Sequence, residues 1–195
     1  MLSDLRSALR PALVLTLLFA LVLGIAYPLA LTGLGQLLFP AQANGSLVRD
    51  GERVIGSALI GQRFASARYF HGRLSAAGAD GYDAAASAGS NLGPASHALT
   101  ERVRADAAEL TISSPGRLVP PDLVTTSASG LDPHISPEAA YYQVNRVAAA
   151  RGLPNTMVRA LVAEQVERPL LGFLGEPRVN VLALNLALDR IAAGR

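Results

Sequence analysis

PALVLTLLFALVLGIAYPLAL, Pro11 to Leu31, decides how the rest of the chain is read. Its 21 uncharged residues, at about 1.5 Å each, cover roughly 30 Å, the hydrocarbon thickness of a bilayer. No charge occurs from Pro11 to Val48. Pro11 suits the first turn of a helix, where its missing N–H costs nothing. Tyr27 and Pro28 suit an interfacial ring and a kink or exit. A cleaved signal peptide competes with this reading. Its apolar core spans only about 7–15 residues, and the small-residue triplet Ala41-Gln42-Ala43 lies too far downstream for its cleavage site. The run therefore reads as a transmembrane helix over 11–33, behind a short N-terminus, 1–10, and ahead of an interfacial connector, 34–43. Arg6 and Arg10 precede the span, and the next basic residue is Arg49. That asymmetry places the N-terminus in the cytoplasm and residues 44–195 outside it.

Composition supports a membrane chain and excludes several functions. Half of the 195 residues are hydrophobic, and the mean hydropathy is +0.31. All 17 basic residues are arginine, none adjacent to another, and the net charge is +2. No stripe is built to track phosphates, so nucleic acid is not expected as a partner. Without cysteine there are no disulfides, thiolate zinc sites or cysteine nucleophiles.

Beyond Asn44 the pattern is mixed. RVIGSALIGQRFASARY, Arg53 to Tyr69, reads as one or two strands with tight turns at Gly56 and Gly61. His71 to Pro94 is rich in glycine, alanine and serine and reads as a loop that folds against something else. Ser96 precedes a helix carrying Leu99, Val103, Ala107 and Leu110. Pro115 to Pro121 breaks the pattern, and DLVTT, Asp122 to Thr126, reads as a strand. In GLDPHISPEAA, Gly130 to Ala140, Asp132 before Pro133 initiates a turn that places His134 in a loop. Ser136 is a cap, Pro137 the first helical residue and Glu138 an acid in the first turn. A further helix follows Asn155 or Thr156 as cap. Pro169 to Pro177 is a glycine-punctuated connection, and Asn180 caps a last helix. The expected fold is α+β: one N-terminal transmembrane helix, then a mixed domain of helices and a small sheet.

No local pattern carries catalysis. His71, His97 and His134 are 26 and 37 residues apart, without the paired spacing that metal sites use. Neither Ser90 nor Ser136 lies in a nucleophile elbow. Asp80, Asp83, Asp132, Glu138 and Glu176 supply carboxylates, with nothing to pair them. No Walker sequence exists. GSNLGP, Gly89 to Pro94, is able to cradle an anion, but an ordered turn accounts for it better.

Taken in order, GSALIGQRF, YFHGR, GYDAAASAGSNLGP, PDLVTTSASGLDPHISPEAAYYQVNRVAAARG and LGFLGEPRVNVLALNLALD behind one N-terminal span resemble the C subunit of the bacterial Kdp potassium-transporting ATPase. Each piece is weak alone; the ordered set is specific and covers nearly the whole chain. Leu74 replaces the proline the family usually carries, and Thr111 to Pro120 has no family pattern. The resemblance implies a non-catalytic subunit of a high-affinity potassium pump in the cell inner membrane, needed for assembly. It implies as partners a channel-like potassium subunit, a P-type ATPase subunit and a small single-span peptide, besides the bilayer itself. It implies no cofactor of its own. Family descriptions carry ATP binding and a raised ATP affinity of the pump subunit. An outward domain is separated from cytoplasmic ATP, so that effect is expected to be indirect. The motif residues Gly89, Ser90, Asn91, Leu92, Gly93, Pro94, Asp132, Pro133, His134, Ser136, Pro137, Glu176, Arg178 and Asn180 become candidates for structural or partner contacts. Apart from the resemblance, a membrane-anchored extracytoplasmic enzyme or ligand-binding module is the alternative.

Overall fold

The computed structural model describes residues 2–193. Residues up to Leu47 and those from Val48 onward form two compact units. In the first, α1 (Leu2–Leu21), a π-turn (Val22–Ala26) and α2 (Tyr27–Leu38) follow without a break, and α3 (Pro40–Ala43) closes the unit. The stretch Arg6–Leu38 is long and apolar enough to cross a membrane; its best window has a mean hydropathy of 2.4 and 0% buried within the chain. Of the kink or exit expected at Tyr27 and Pro28, the exit does not occur: a wider turn lies inside a continuing helix. The Tyr27 N–H donates five residues back to the Val22 carbonyl. In a regular turn the Pro28 ring would collide with the carbonyl of Gly24, and the π-turn gives it room. Helix α2 ends at Leu38 because Phe39, which precedes Pro40, leaves the helical region at φ −136°.

The second unit holds its own core. Strands β1 (Leu47–Asp50) and β2 (Arg53–Ser57) pair across a turn at Gly51. The first was unassigned by sequence, and the second is the only strand formed within Arg53 to Tyr69. Helix α4 (His97–Ser113) starts at Ser96, whose Oγ accepts from Leu99 N at 3.4 Å. Strand β3 (His134–Ile135) precedes α5 (Pro137–Arg151), α6 (Asn155–Glu164), β4 (Val166–Glu167), β5 (Arg178–Asn180) and α7 (Val181–Ala193). The sheet order is β3-β5-β4, antiparallel, with His134 opposite Asn180 and Glu167 opposite Arg178.

Local chemistry sets these helix ends. Ser136 Oγ accepts from Ala139 N at 3.1 Å, with Pro137 in the first turn. Such a cap contributes about 1 kcal/mol. Gly152 ends α5 at φ 65°, and Leu153 N reaches back to the Ala148 carbonyl. This is the glycine-terminated geometry that satisfies a helix's last carbonyls. Asn180 Oδ1 accepts from Ala183 N at 3.0 Å and so caps α7. The apolar stripes of α5, α6 and α7 then close over Phe70, Ile135 and Val179 into one core.

Three expectations fail here for identifiable reasons. DLVTT is no strand: Pro121–Leu123 form a 3₁₀ turn. The Asp122 carboxylate accepts from Ser136 N at 2.6 Å, and the Thr125 hydroxyl donates to the Pro121 carbonyl at 2.8 Å. These polar side chains close a turn that their apolar neighbours disguised. Neither Asn155 nor Thr156 caps α6. The cap position is Pro154, with no side-chain bond. Finally, His134 lies in a two-residue strand rather than a loop, because Ile135 is drawn into the core opposite Val179.

Candidate functional site

The glycine-rich segment after His71 lies on its own domain. Leu74 bridges Thr126 in parallel, and Ser127 N donates to the Leu74 carbonyl. Ser75 Oγ donates to the Gly130 carbonyl at 2.6 Å, and Ala88 N to the Ser129 carbonyl at 3.0 Å. Gly89 and Gly130 stand where the two backbones approach closely, which explains those two glycines. A Cβ on Gly89 would stand 2.9 Å from the Ala128 carbonyl oxygen. The GSNLGP turn thus begins against Ala128 and Ser129, just ahead of the GLDPHISP segment. Ser90 is half-buried, and Asn91 turns through φ 52°. Leu92, Gly93 and Pro94 run out into exposure, and the Gly93 carbonyl accepts from Ser96 N, the cap of α4.

Asp132 and His134 are likewise tied into the fold. Asp132 Oδ1 accepts from His134 N at 3.0 Å, and Oδ2 faces Arg73 Nη1 at 3.3 Å. The Pro133 carbonyl accepts from Val181 N at 2.9 Å, fixing the start of α7. His134 Nδ1 lies 3.5 Å from Asp132 and Nε2 4.0 Å from Glu167. Glu167 in turn holds Arg178 Nε at 2.9 Å across the sheet. Asn180 Nδ2 donates to the Ala58 carbonyl at 2.9 Å. Asp132, Pro133, His134, Ser136, Arg178 and Asn180 therefore meet around one short sheet. Glu176 stands apart, exposed in the connection before β5. Among the described residues, no group of three or more His, Cys, Asp or Glu side chains converges to hold a metal ion.

The comparisons with known proteins decide the family. The model of the family described as "KdpC: K+-transporting ATPase, c chain" matches residues 9–190. The chain belongs to the KdpC family. It is 62% identical to a potassium-transporting ATPase KdpC subunit of Caulobacter vibrioides, over 94% of this chain and 93% of that one. It is 58% identical to the Bradyrhizobium diazoefficiens subunit, over 95% and 98% of the two chains. It is 60% identical to the Nitratidesulfovibrio vulgaris subunit, over 95% of each. KdpC is an accessory subunit of a potassium-transporting ATPase and not its catalytic chain.

Within this KdpC chain, the residues that sequence reasoning missed are the ones that hold Ser66 to His71 between two helices. Asn185 of α7 accepts from Phe70 N at 2.8 Å and donates to the Phe70 carbonyl at 3.0 Å. Gln143 of α5 does the same for His71, at 2.8 and 3.0 Å. Arg146 donates to the carbonyls of Ala67 and Tyr69. Arg151 donates to the Arg68 carbonyl and to Asp189, which also accepts from the Tyr69 hydroxyl. Two adjacent residues, neither in a strand, thus have their N–H and C=O groups paired by carboxamides. The available signal was a polar residue inside an apolar helix stripe: Gln143 beside Ala139, Ala140 and Val147, and Asn185 beside Leu184 and Leu188.

His71 borders a cavity of about 160 Å³ lined also by Asp106, Glu109, Leu110, Tyr142 and Arg146. Its Nε2 faces the Ser66 carbonyl at 3.1 Å, which places the proton of the neutral ring there. Burial, and then the Arg146 guanidinium, lower its pKa below the ordinary 6.5; the bond to Ser66 opposes them. The folded chain thus holds this proton less tightly than the unfolded one. Stability is complete above the unfolded value and falls as pH drops through it. Urea midpoints of wild type and His71→Gln at pH 7 and pH 5 check this. Wild type is expected to lose more stability over that interval; equal losses would remove His71 from the account.

Proposed function

We propose that this subunit holds the assembled potassium pump together from the outer side of the cell inner membrane. Its N-terminus lies in the cytoplasm, its helix crosses the bilayer, and its domain docks near the potassium entrance of the channel-like subunit. Its partners are that subunit, the P-type ATPase subunit and a small single-span peptide. It carries no cofactor of its own. It affects ATP affinity only indirectly, by stabilising the complex, because an outward domain cannot meet cytoplasmic nucleotide.

One observation carries this reading. The motif side chains Asp132, Ser136 and Asn180 are engaged in holding turns, caps and strands, while Arg6–Leu38 is a helix long and apolar enough to cross a membrane. Such a chain supplies a rigid body and an anchor rather than a reacting centre. Arg6 and Arg10, in α1 just before its uncharged run, support the orientation.

Tagging the chain in its native membrane is expected to recover the potassium-conducting and ATP-hydrolysing subunits. Deleting it is expected to leave them dissociated and inactive. The chain has no cysteine, so a single cysteine at exposed Ser66 can be labelled selectively. Labelling from the outer side is expected; labelling only from the cytoplasm would overturn the orientation. Catalytic or ligand-binding activity in the isolated chain, with no subunit recovered, would favour the anchored-enzyme alternative.

A further inference from the structure

The connection between β4 and β5 ends in an exposed apolar turn. Leu170, Leu171, Phe173 and Leu174 are 70%, 75%, 72% and 51% exposed, and none belongs to the domain core. Single exposed leucines are ordinary; four large apolar side chains within five residues are not. The turn is built to hold them outward. Gly172 N donates to the Pro169 carbonyl and Leu174 N to the Leu170 carbonyl, each at 3.0 Å. Leu171 turns through φ 55°, in the left-handed region that a leucine rarely adopts. Backbone strain beneath an exposed apolar tip is characteristic of a binding element. Below the tip, Glu167 and Arg178 face each other across the strands and close the stem at 2.9 Å. His134 and Asn180 continue that same sheet, so the family motif forms the base on which the turn stands.

We propose that Leu170–Leu174 is an apolar plug that seats in an apolar cleft on the extramembrane face of another subunit of the same ATPase. This rests on the reading that the chain assembles with those subunits. The charges around the tip select a protein over a lipid surface. Glu167, Arg168, Glu176 and Arg178 are all exposed, two acids against two bases. A lipid-inserting segment carries a basic excess. A balanced polar rim around an apolar centre with one aromatic is the anatomy of a protein interface. Preorganising the turn lowers the ordering cost of docking.

The test uses the full chain in the complex purified from native membranes. A photoreactive benzoylphenylalanine replaces Phe173 or, as a control, Ala108 on the exposed side of α4. Irradiation is expected to link position 173, but not 108, to an extramembrane segment of another ATPase subunit. The double variant Leu171→Asp, Phe173→Asp is expected to lower recovery of those subunits by about tenfold or more with helix content unchanged. Cross-links only to lipid, only to a second copy of this chain, or to nothing, in a complex that remains intact, would overturn the plug and leave the assembly reading standing. If the unmodified chain recovers no ATPase subunit, both fall.

Discussion

Asn185→Leu is expected to destabilise the domain by about 2–6 kcal/mol, because it orphans two buried groups at about 1–3 kcal/mol each. Asn185 is 1% exposed, and both ends of its carboxamide bond the backbone of Phe70, which is fully buried. Leucine keeps the same branched arrangement of side-chain heavy atoms and is bulkier, so the substitution leaves no cavity and the loss comes from the unpaired N–H and C=O. Gln143→Leu does the same to His71 and is expected to fall in the same range. The two losses are expected to be less than additive, since freeing Phe70 already loosens the neighbouring residue. Thermal melts of the full chain in detergent, followed by circular dichroism, give the measurement. A downward shift of more than about 5 °C is expected for each single variant. A variant that melts with wild type would show that water replaces the carboxamide at no cost.

Gly130→Ala is expected to cost about 2–5 kcal/mol, from two independent sources. Gly130 has φ 67°, where an alanine is strained by about 1–2 kcal/mol. Its new Cβ would also lie 2.6 Å from the Ala88 carbonyl oxygen and 2.8 Å from Ala77 N. Overpacking of that kind costs about 1–3 kcal/mol. Gly93→Ala is the internal control: it lies in the other glycine motif, and its Cβ would meet nothing within 4 Å. Urea unfolding is expected to separate the two variants clearly. Equal midpoints would mean that the close approach of the two glycine-bearing segments relaxes freely.

Elements whose cause lies within four residues were readable from the chain. An apolar helix long enough to cross a membrane and the caps at Ser96, Ser136 and Asn180 are all such cases. So was the turn at Asp132, whose carboxylate bonds the N–H two residues on. DLVTT was misread because its turn is closed partly by Ser136, 14 residues away. The glycine-rich segment showed that some backbone must approach it, but not that the backbone belonged to Ala128 and Ser129.

The sequence by itself determined the apolar helix, the caps of α4, α5 and α7 and the family, because covalent spacing alone brings those partners together. Only the tertiary structure decided that Asn185 pairs with Phe70, 115 residues away, and that the sheet carries Leu170–Leu174 outward. A carboxamide within an apolar stripe announces that some buried backbone group needs it. Which group that is depends on where distant segments meet once the core has closed.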